Sequence, residues 1–425
     1  MGRPVVSVEA HLLSVAELLD PVVDRVRASD PELVSIGDPA LAGRVVAEAV
    51  RTRIPLPPFD NSQMDGYAVR AQDLARASGQ EHVALPIGVT TAAGDTPVHH
   101  VPGTASPVMT GAAIPIGADA VVPVERTLPA AFPALSRSGE RFVPSDITFA
   151  APVEPGTFIR STAEDLADGA VIVDAGTVLT PTRIGALASA GVATAPVLRR
   201  VRVLVCTTGD ELVESGALPP GRIHDANGPM LAALLRSTGA EVRLLHSDDR
   251  AEALRDLITV EAPRTDLLVT SGGISAGAYE VVRDALAPLG ARFIGVAMQP
   301  GGPQGLGALE IPRAERPLPT LCFPGNPVST VLSASLFLLP TLRELAGMPR
   351  ESTTRVRPLA VDTHSPEHKL QLRRGIVEAD GSVTPLPPGS HLLHDLAEAD
   401  VIAQIPAGVA FAPAGTPVTT WRLHA

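Results

Sequence analysis

Three loops in the second half of the chain carry residue types suited to holding an anion. They are TTGDEL (207–212), TSGGISAGAYE (270–280) and FPGNPVS (323–329), and each follows a short apolar run. Glycines, serines and threonines there offer backbone N–H groups and hydroxyls that converge on phosphate oxygens. The first loop contributes Gly209 and Asp210. The second contributes Ser271, Gly272, Gly273, Ser275 and Gly277, and the third Pro324, Gly325, Asn326, Pro327 and Ser329. Asn326 reads as a helix cap with Pro327 in the first helical position, an arrangement whose free N–H groups attract anions. No loop matches GxxxxGK[ST] or GxGxxG. Taken singly, a strand-to-helix turn or an unliganded cap explains each loop equally well. Their recurrence at the ends of strand-like runs points to one shared anion site, with phosphate as the expected ligand.

Carboxylates near these loops suggest a hard cation. Asp225 of GRIHDANGPM and Glu280 of the second loop are the candidates, because Mg²⁺ favours one or two carboxylates plus substrate phosphates. A solvated loop acid is the bland alternative for either. NSQMDGYAVR (61–70) places Asp65 beside Tyr67, where an Asp-Gly pair most often means a turn. Both tyrosines of the chain, Tyr67 and Tyr279, fall inside glycine-containing motifs, which tilts the reading towards function. The pairs His99/His100, His364/His368 and His391/His394 lack further ligands at zinc spacing and are read as surface or core histidines. Cys206 and Cys322 lie inside apolar runs, as buried free thiols do.

The elements that position these residues follow from periodicity. VRVLVC, EVRLLHS, TDLLVTSG, ARFIGVAM and TLCFPG read as strands. They alternate with helical patterns: NGPMLAALLRSTG with Asn227 as cap, RAEALRDLITVEA, YEVVRDALAPLG, and VSTVLSASLFLLPTLRELAG bent or ended at Pro340. Such alternation implies βαβ crossovers and a mostly parallel sheet in a three-layer α/β/α domain over 199–350. Earlier, residues 7–27 have helical spacing interrupted at Pro21, and a short helix fits 38–50. The expected α/β multidomain chain therefore divides into 7–54 with 147–198 as a linking domain, a β-rich insertion over 55–146, the central domain, and a C-terminal β domain over 351–425. Two to four domains also suit 425 residues.

Composition narrows the partners. Hydrophobic residues make up 45% but aromatics only 3%, so the cores must be aliphatic. A net charge of −12 with a single lysine, Lys369, argues against nucleic acid and anionic membrane as partners. No apolar run reaches the roughly 20 residues that span a bilayer, so the cytoplasm is the expected compartment.

Six stretches in order carry a resemblance: PLPPFDNSQMDGYAVR, VMTGAAIPIGADAVVPVE, TTGDEL, GRIHDAN, TSGGISAGAYEVV and FPGNPVS. Over essentially its full length the chain resembles the molybdenum insertases (molybdopterin molybdenumtransferases), the family that includes the corresponding domain of gephyrin. The resemblance implies an elongated homodimer of four-domain subunits that uses Mg²⁺ to insert molybdate into adenylylated molybdopterin, releasing AMP and molybdenum cofactor. It matches Asp65 to the acid of SxMDGYA, Thr110 to the MTG threonine, Glu164 of AEDL to the glutamate of GEDI, and Asp225 to the acid before the Asn turn. With Glu280 these are the implied catalytic residues, Asp225 and Glu280 holding the metal. The second and third loops match pterin-phosphate loops, joined by Pro300 and Pro303 of QPGGP. Arg374 of QLRRG and Ser390 of GSHLL match oxyanion contacts.

The departures bear on activity rather than fold. KPGKP of the family is QPGGP here, with Gln299 and Gly302 in place of both lysines. Ala278 and Glu280 replace the usual aspartates, and Ala163 the glycine of GEDI. Each lost charge-assisted contact is worth roughly 1.5–3 kcal/mol. An arginine such as Arg374 is the candidate substitute, and Gly302 is a candidate for φ > 0, which would resist any side chain. Two other readings stay open: a low-activity paralogue that binds pterin or a partner protein, and the related enzyme that adenylylates molybdopterin and shares the central domain. That adenylyltransferase is also a candidate partner. Asp65 and Thr110 on a separate domain favour the insertase.

Overall fold

The computed structural model describes residues 5–78, 80–132, 145–275, 280–312, 314–350 and 352–422. Its centre is a seven-stranded sheet. Across it the strands run Val5–Val6, Arg292–Val296, Pro303–Leu309, Leu318–Phe323, Leu267–Ser271, Arg202–Thr208 and Glu241–Ser247. All pairings are parallel except those of Pro303–Leu309, which is antiparallel to both neighbours. Thr207 pairs with Ser271, and Ser271 with Phe323, so the three glycine-bearing loops leave the sheet side by side.

Strand periodicity explains the two-sided burial. Val203, Val205, Leu267, Val269, Leu321 and Phe323 face one aliphatic core, shared with the helices Val8–Arg27 and Asn227–Arg236. Leu204, Cys206, Leu268 and Cys322 face the other, beneath the helices Ala251–Glu261 and Val281–Leu286. Both cysteines are free and buried, and burial pushes each thiol up to about 12.

Several local expectations need correction. Helix Val8–Arg27 is capped by Ser7, which accepts from Ala10 N, and it runs unbroken through Pro21. Val15, Leu19, Val22 and Val26 bury against the central sheet, and this packing outweighs the one proline on the exposed side. The expected helix over 38–50 is only a 3₁₀ turn, Pro39–Leu41, capped by Asp38. Gly43 at φ +80° then turns the chain into bridges from Val45 to Val178 and from Val46 to Val197. Pro340 does not end its helix: a π-turn, Ala334–Leu338, widens the coil ahead of Leu339–Leu345 and accommodates the ring. Among the described residues, Pro327–Leu345 is the one helix long and apolar enough to cross a membrane, and 72% of its apolar window is buried inside the protein.

Smaller clusters surround this centre, three of which matter here. Leu41, Val46, Val173, Leu179, Leu187 and Val197 form one, beside the antiparallel pair Glu32–Ser35 and Thr194–Val197. A second gathers Tyr67, Leu74, Ile147 and Phe149, with Gly66–Val69 at the middle of a three-stranded sheet. The third belongs to the C-terminal sheet of Leu370–Val377, Val401–Ile405, Pro417–Trp421 and Thr354–Pro358. Met298–Gln299 leaves the central domain to pair in parallel with Leu370–Val377, Gln299 opposite Gln371.

Candidate active site

A cleft of about 1080 Å³ opens where the three loops leave the sheet. Gly209, Asp225, Ser271, Gly272, Gly273, Ser275 and Glu280 line it, with Pro300 and Pro303, with Pro324, Gly325, Asn326, Pro327 and Ser329, and with Ser390 from the C-terminal domain. Gly277, Ala278 and Tyr279 lie outside the described residues. Glycine is required at the turn of the second loop. Gly273 has φ +59°, and a Cβ there would stand 2.9 Å from Val282 N. At Gly325 it would stand 3.4 Å from Gly272 Cα, so the second and third loops touch through backbone.

Side chains hold these loops in register. Asn227 is the first residue of its helix, not the cap, which is Ala226. Its Nδ2 instead donates to Ser271 Oγ at 3.0 Å and to the Gly325 carbonyl at 2.7 Å. Its Oδ1 is buried without a hydrogen-bond partner, as is Thr208 Oγ1, and both residues line the cleft. Asn326 caps the third loop's helix by position, while its Nδ2 donates to Ser390 Oγ at 2.9 Å.

Asp225 is held from two sides. Its Oδ1 accepts from Gly228 N at 3.0 Å, and its Oδ2 accepts from Thr207 Oγ1 at 2.9 Å. A Cβ at Gly228 would come within 2.6 Å of Asp225 Oδ2, so a larger residue there would displace the carboxylate. Glu280 is buried to 8% exposure on the same cleft, joined by Asp249 and Glu211. Among the described residues no three His, Cys, Asp or Glu group to hold a metal alone. A hard cation bound by one or two of these carboxylates would draw its remaining oxygen ligands from a substrate, and the donor set fits Mg²⁺ on those terms.

The cleft is short of cations. No lysine or arginine lines it among the described residues; His224 and His391 are its basic side chains. Gln299 does line it, and its Oε1 accepts from Gln371 Nε2 at 3.0 Å. Arg374 does not fill the gap. Buried to 2% exposure, its guanidinium donates to the carbonyls of Gly389 and Leu392 at 2.9 Å each, and to that of Pro387. It braces the loop bearing Ser390 instead of meeting a ligand. Asp210 also stands off the cleft, exchanging hydrogen bonds with Asp249. The left-handed residue of QPGGP is Gly301 at φ +94°, not Gly302, where a Cβ would stand 3.3 Å from Val296 O and 3.4 Å from Met298 O.

Asp65, Thr110 and Glu164 do not line this cleft. Asp65 Oδ1 accepts from Thr110 N at 2.6 Å and from Thr110 Oγ1 at 2.7 Å, and these bonds hold its carboxyl below the usual range. Nearby, Asp60 clasps Thr162 in the same way, and Glu164 Oε2 accepts from Ser161 N at 3.0 Å beside Ala163 at φ +64°. Tyr67 is a core residue and no partner of Asp65: fully buried, it packs at 5.3 Å from Phe132 and 6.2 Å from Phe149. Burial pushes its phenol up to about 12. Residues passed over in the sequence are Asn227 as a brace, Thr207, Thr208, Asp249 and His391. HDAN and TTG held the signal for the first three, but side-chain direction is not legible in a motif.

Comparison with known proteins agrees with this geometry along the whole chain. Residues 6–191 match the MoeA N-terminal region (domain I and II), 204–344 a probable molybdopterin binding domain, and 356–423 the MoeA C-terminal region (domain IV). The chain is 40% identical to molybdopterin molybdenumtransferase 2 of Mycobacterium tuberculosis over 98% of its own length and 99% of the relative's. It is 33% identical to molybdopterin molybdenumtransferase of Synechococcus elongatus, covering 97% of both. The solved molybdopterin biosynthesis MoeA protein of Pyrococcus horikoshii superposes with a TM-score of 0.77 at 28% identity, covering 99% of each chain. Matched in all three regions and along nearly all of these relatives, the chain belongs to the molybdopterin molybdenumtransferase family, enzymes of molybdenum cofactor biosynthesis.

Proposed function

We propose that this enzyme inserts molybdate into adenylylated molybdopterin within the cleft, in an Mg²⁺-dependent reaction that releases AMP. The observation that carries the proposal is Asn227, which ties the Ser271 and Gly325 loops into one rigid, glycine-lined wall. Backbone N–H groups of that wall and of the helix start at Pro327 would receive the pterin phosphate. Asp225, fixed by Thr207 and Gly228, would hold the cation with Glu280. Mg²⁺ held by these carboxylates would supply charge neutralisation for the phosphoanhydride. Thr208 Oγ1 and Asn227 Oδ1, buried and unpaired, are then available to the substrate's polar edge. Asp65, Thr110 and Glu164 complete the pocket from the partner subunit of a cytoplasmic homodimer in this reading. Molybdopterin adenylyltransferase is the partner that would deliver the adenylylated substrate.

The cation-poor lining supports a second reading, a paralogue with weak oxyanion capture. Both are tested by one reaction: purified protein, adenylylated molybdopterin, molybdate and Mg²⁺, with AMP and finished cofactor measured together. The insertase reading expects both products, each lost without Mg²⁺. The paralogue reading expects substrate binding with little turnover until molybdate is raised.

A further inference from the structure

Another cavity, of about 250 Å³, lies on the C-terminal sheet and shares no lining residue with the cleft. Its position follows from strand register. Thr354–Pro358 is the terminal strand of that sheet, with Arg355 opposite Thr420 and Arg357 opposite Val418. Alternation therefore puts Arg355, Arg357, Thr420 and Arg422 on one face. All four line the cavity, and no acidic side chain does.

Among the described residues no acidic group balances the charge in this cavity. Among the described residues none of the three arginines makes an ion pair, although the chain as a whole carries −12. Arg357 Nη1 donates to the Gly381 carbonyl at 2.9 Å, while its Nε is buried without a partner. Thr420 Oγ1 is turned away, donating to Arg355 O at 2.9 Å. Protection of an exposed sheet edge accounts for arginines on Thr354–Pro358 itself. It does not account for Arg422 at the end of the neighbouring strand or for an unpaired buried guanidinium nitrogen.

We infer that this cavity binds a free dianionic tetrahedral oxyanion, held by Arg355, Arg357 and Arg422. The volume suits such an ion with a few waters, each water taking about 30 Å³. Guanidinium groups match tetrahedral oxyanions through paired N–H donors, which lysine does not supply. The site is independent of the reaction assigned to the cleft.

Equilibrium dialysis of the full chain with inorganic phosphate, and separately with sulfate, at low ionic strength tests this. The wild type is expected to show a saturable site that the double variant Arg355→Gln, Arg422→Gln weakens by about tenfold or more. The variant's thermal midpoint and circular dichroism should match the wild type, since both side chains are exposed. Arg355→Lys with Arg422→Lys, which keeps the charge but not the paired donors, should fall between them. Equal phosphate binding by wild type and glutamine variant would overturn the inference, as would the absence of any saturable site in the wild type.

Discussion

Asn227 Nδ2 stands 3.0 Å from Ser271 Oγ, so the first residue of one helix fixes the loop that leaves a different strand. The same nitrogen reaches the Gly325 carbonyl at 2.7 Å, and Ser271 Oγ in turn donates to the Pro324 carbonyl at 3.3 Å. The two glycine loops also meet directly, Gly272 N donating to the Phe323 carbonyl at 3.2 Å. The Asn227 amide ties both to a third element.

Replacing Asn227 with Ala should therefore reduce turnover more than stability. The lost bonds are worth about 0.5–1.5 kcal/mol each to the fold, a shift of a few degrees at most in a protein of this size. Cofactor formation should fall at least tenfold. Asn227→Asp should do the same, because its carboxylate cannot donate to Ser271 or Gly325. Thermal melts beside kcat/KM would check the split.

Asp225→Ala should abolish the Mg²⁺-dependent turnover while the protein stays folded. The carboxylate is only partly buried and its structural partners are one hydroxyl and one backbone N–H. Thr207→Val, which removes one orienting bond, should give a milder loss with Mg²⁺ dependence retained. Initial rates against Mg²⁺ concentration distinguish the two.

Asp266, at the opposite edge of the sheet, should govern stability in acid. It is fully buried, with Arg199 donating to its two oxygens at 2.6 and 3.1 Å, Arg202 N at 2.9 Å and Arg316 at 3.4 Å. Burial alone would raise its carboxyl, but the bonds from Arg199 and Arg202 outweigh that and hold it below the usual range. A depressed folded value means its stabilisation is complete above the unfolded value, about 3.9, and is lost as pH falls through the folded one. Asp266→Asn leaves these arginines without their counter-charge and should cost about 3–5 kcal/mol near neutral pH. Urea unfolding of both proteins from neutral pH downwards should show the gap closing below about pH 4.

Gln299→Lys should lower the molybdate concentration for half-maximal activity about tenfold, since one new charge-assisted contact is worth a decade or more. The variant gives up only the bond from Gln371. Gly302→Lys is less clean, because its Cβ needs a shift of a few tenths of an ångström against Val296 O and Met298 O. Saturation curves in molybdate decide it, and an unchanged curve would mean the cation gap is filled from outside the described cleft.

The sheet was legible because its strands are short apolar runs whose alternate residues serve two separate cores, as Val203 and Leu204 do. The loops were legible because glycine at Gly272 and Gly273 answers a backbone demand that any sequence must meet in the same way. Side-chain destinations were not. Arg374 reads as an anion contact until its guanidinium is seen spanning three carbonyls. Asp65 and Tyr67 are close in sequence, yet the strand Gly66–Val69 begins between them. Tyr67 enters the core on that strand, while Asp65, still in the loop, is caught in a threonine clasp. The fate of Pro21 was set by packing on the far side of its helix, which local propensity does not record.

The most direct test of the central claim is AMP release from adenylylated molybdopterin by the purified protein, followed with and without molybdate and Mg²⁺. AMP and molybdenum cofactor are expected in equal amounts, dependent on both ions and lost in Asp225→Ala. AMP release that proceeds unchanged without molybdate, or a folded protein that forms no cofactor at any molybdate concentration, would contradict it.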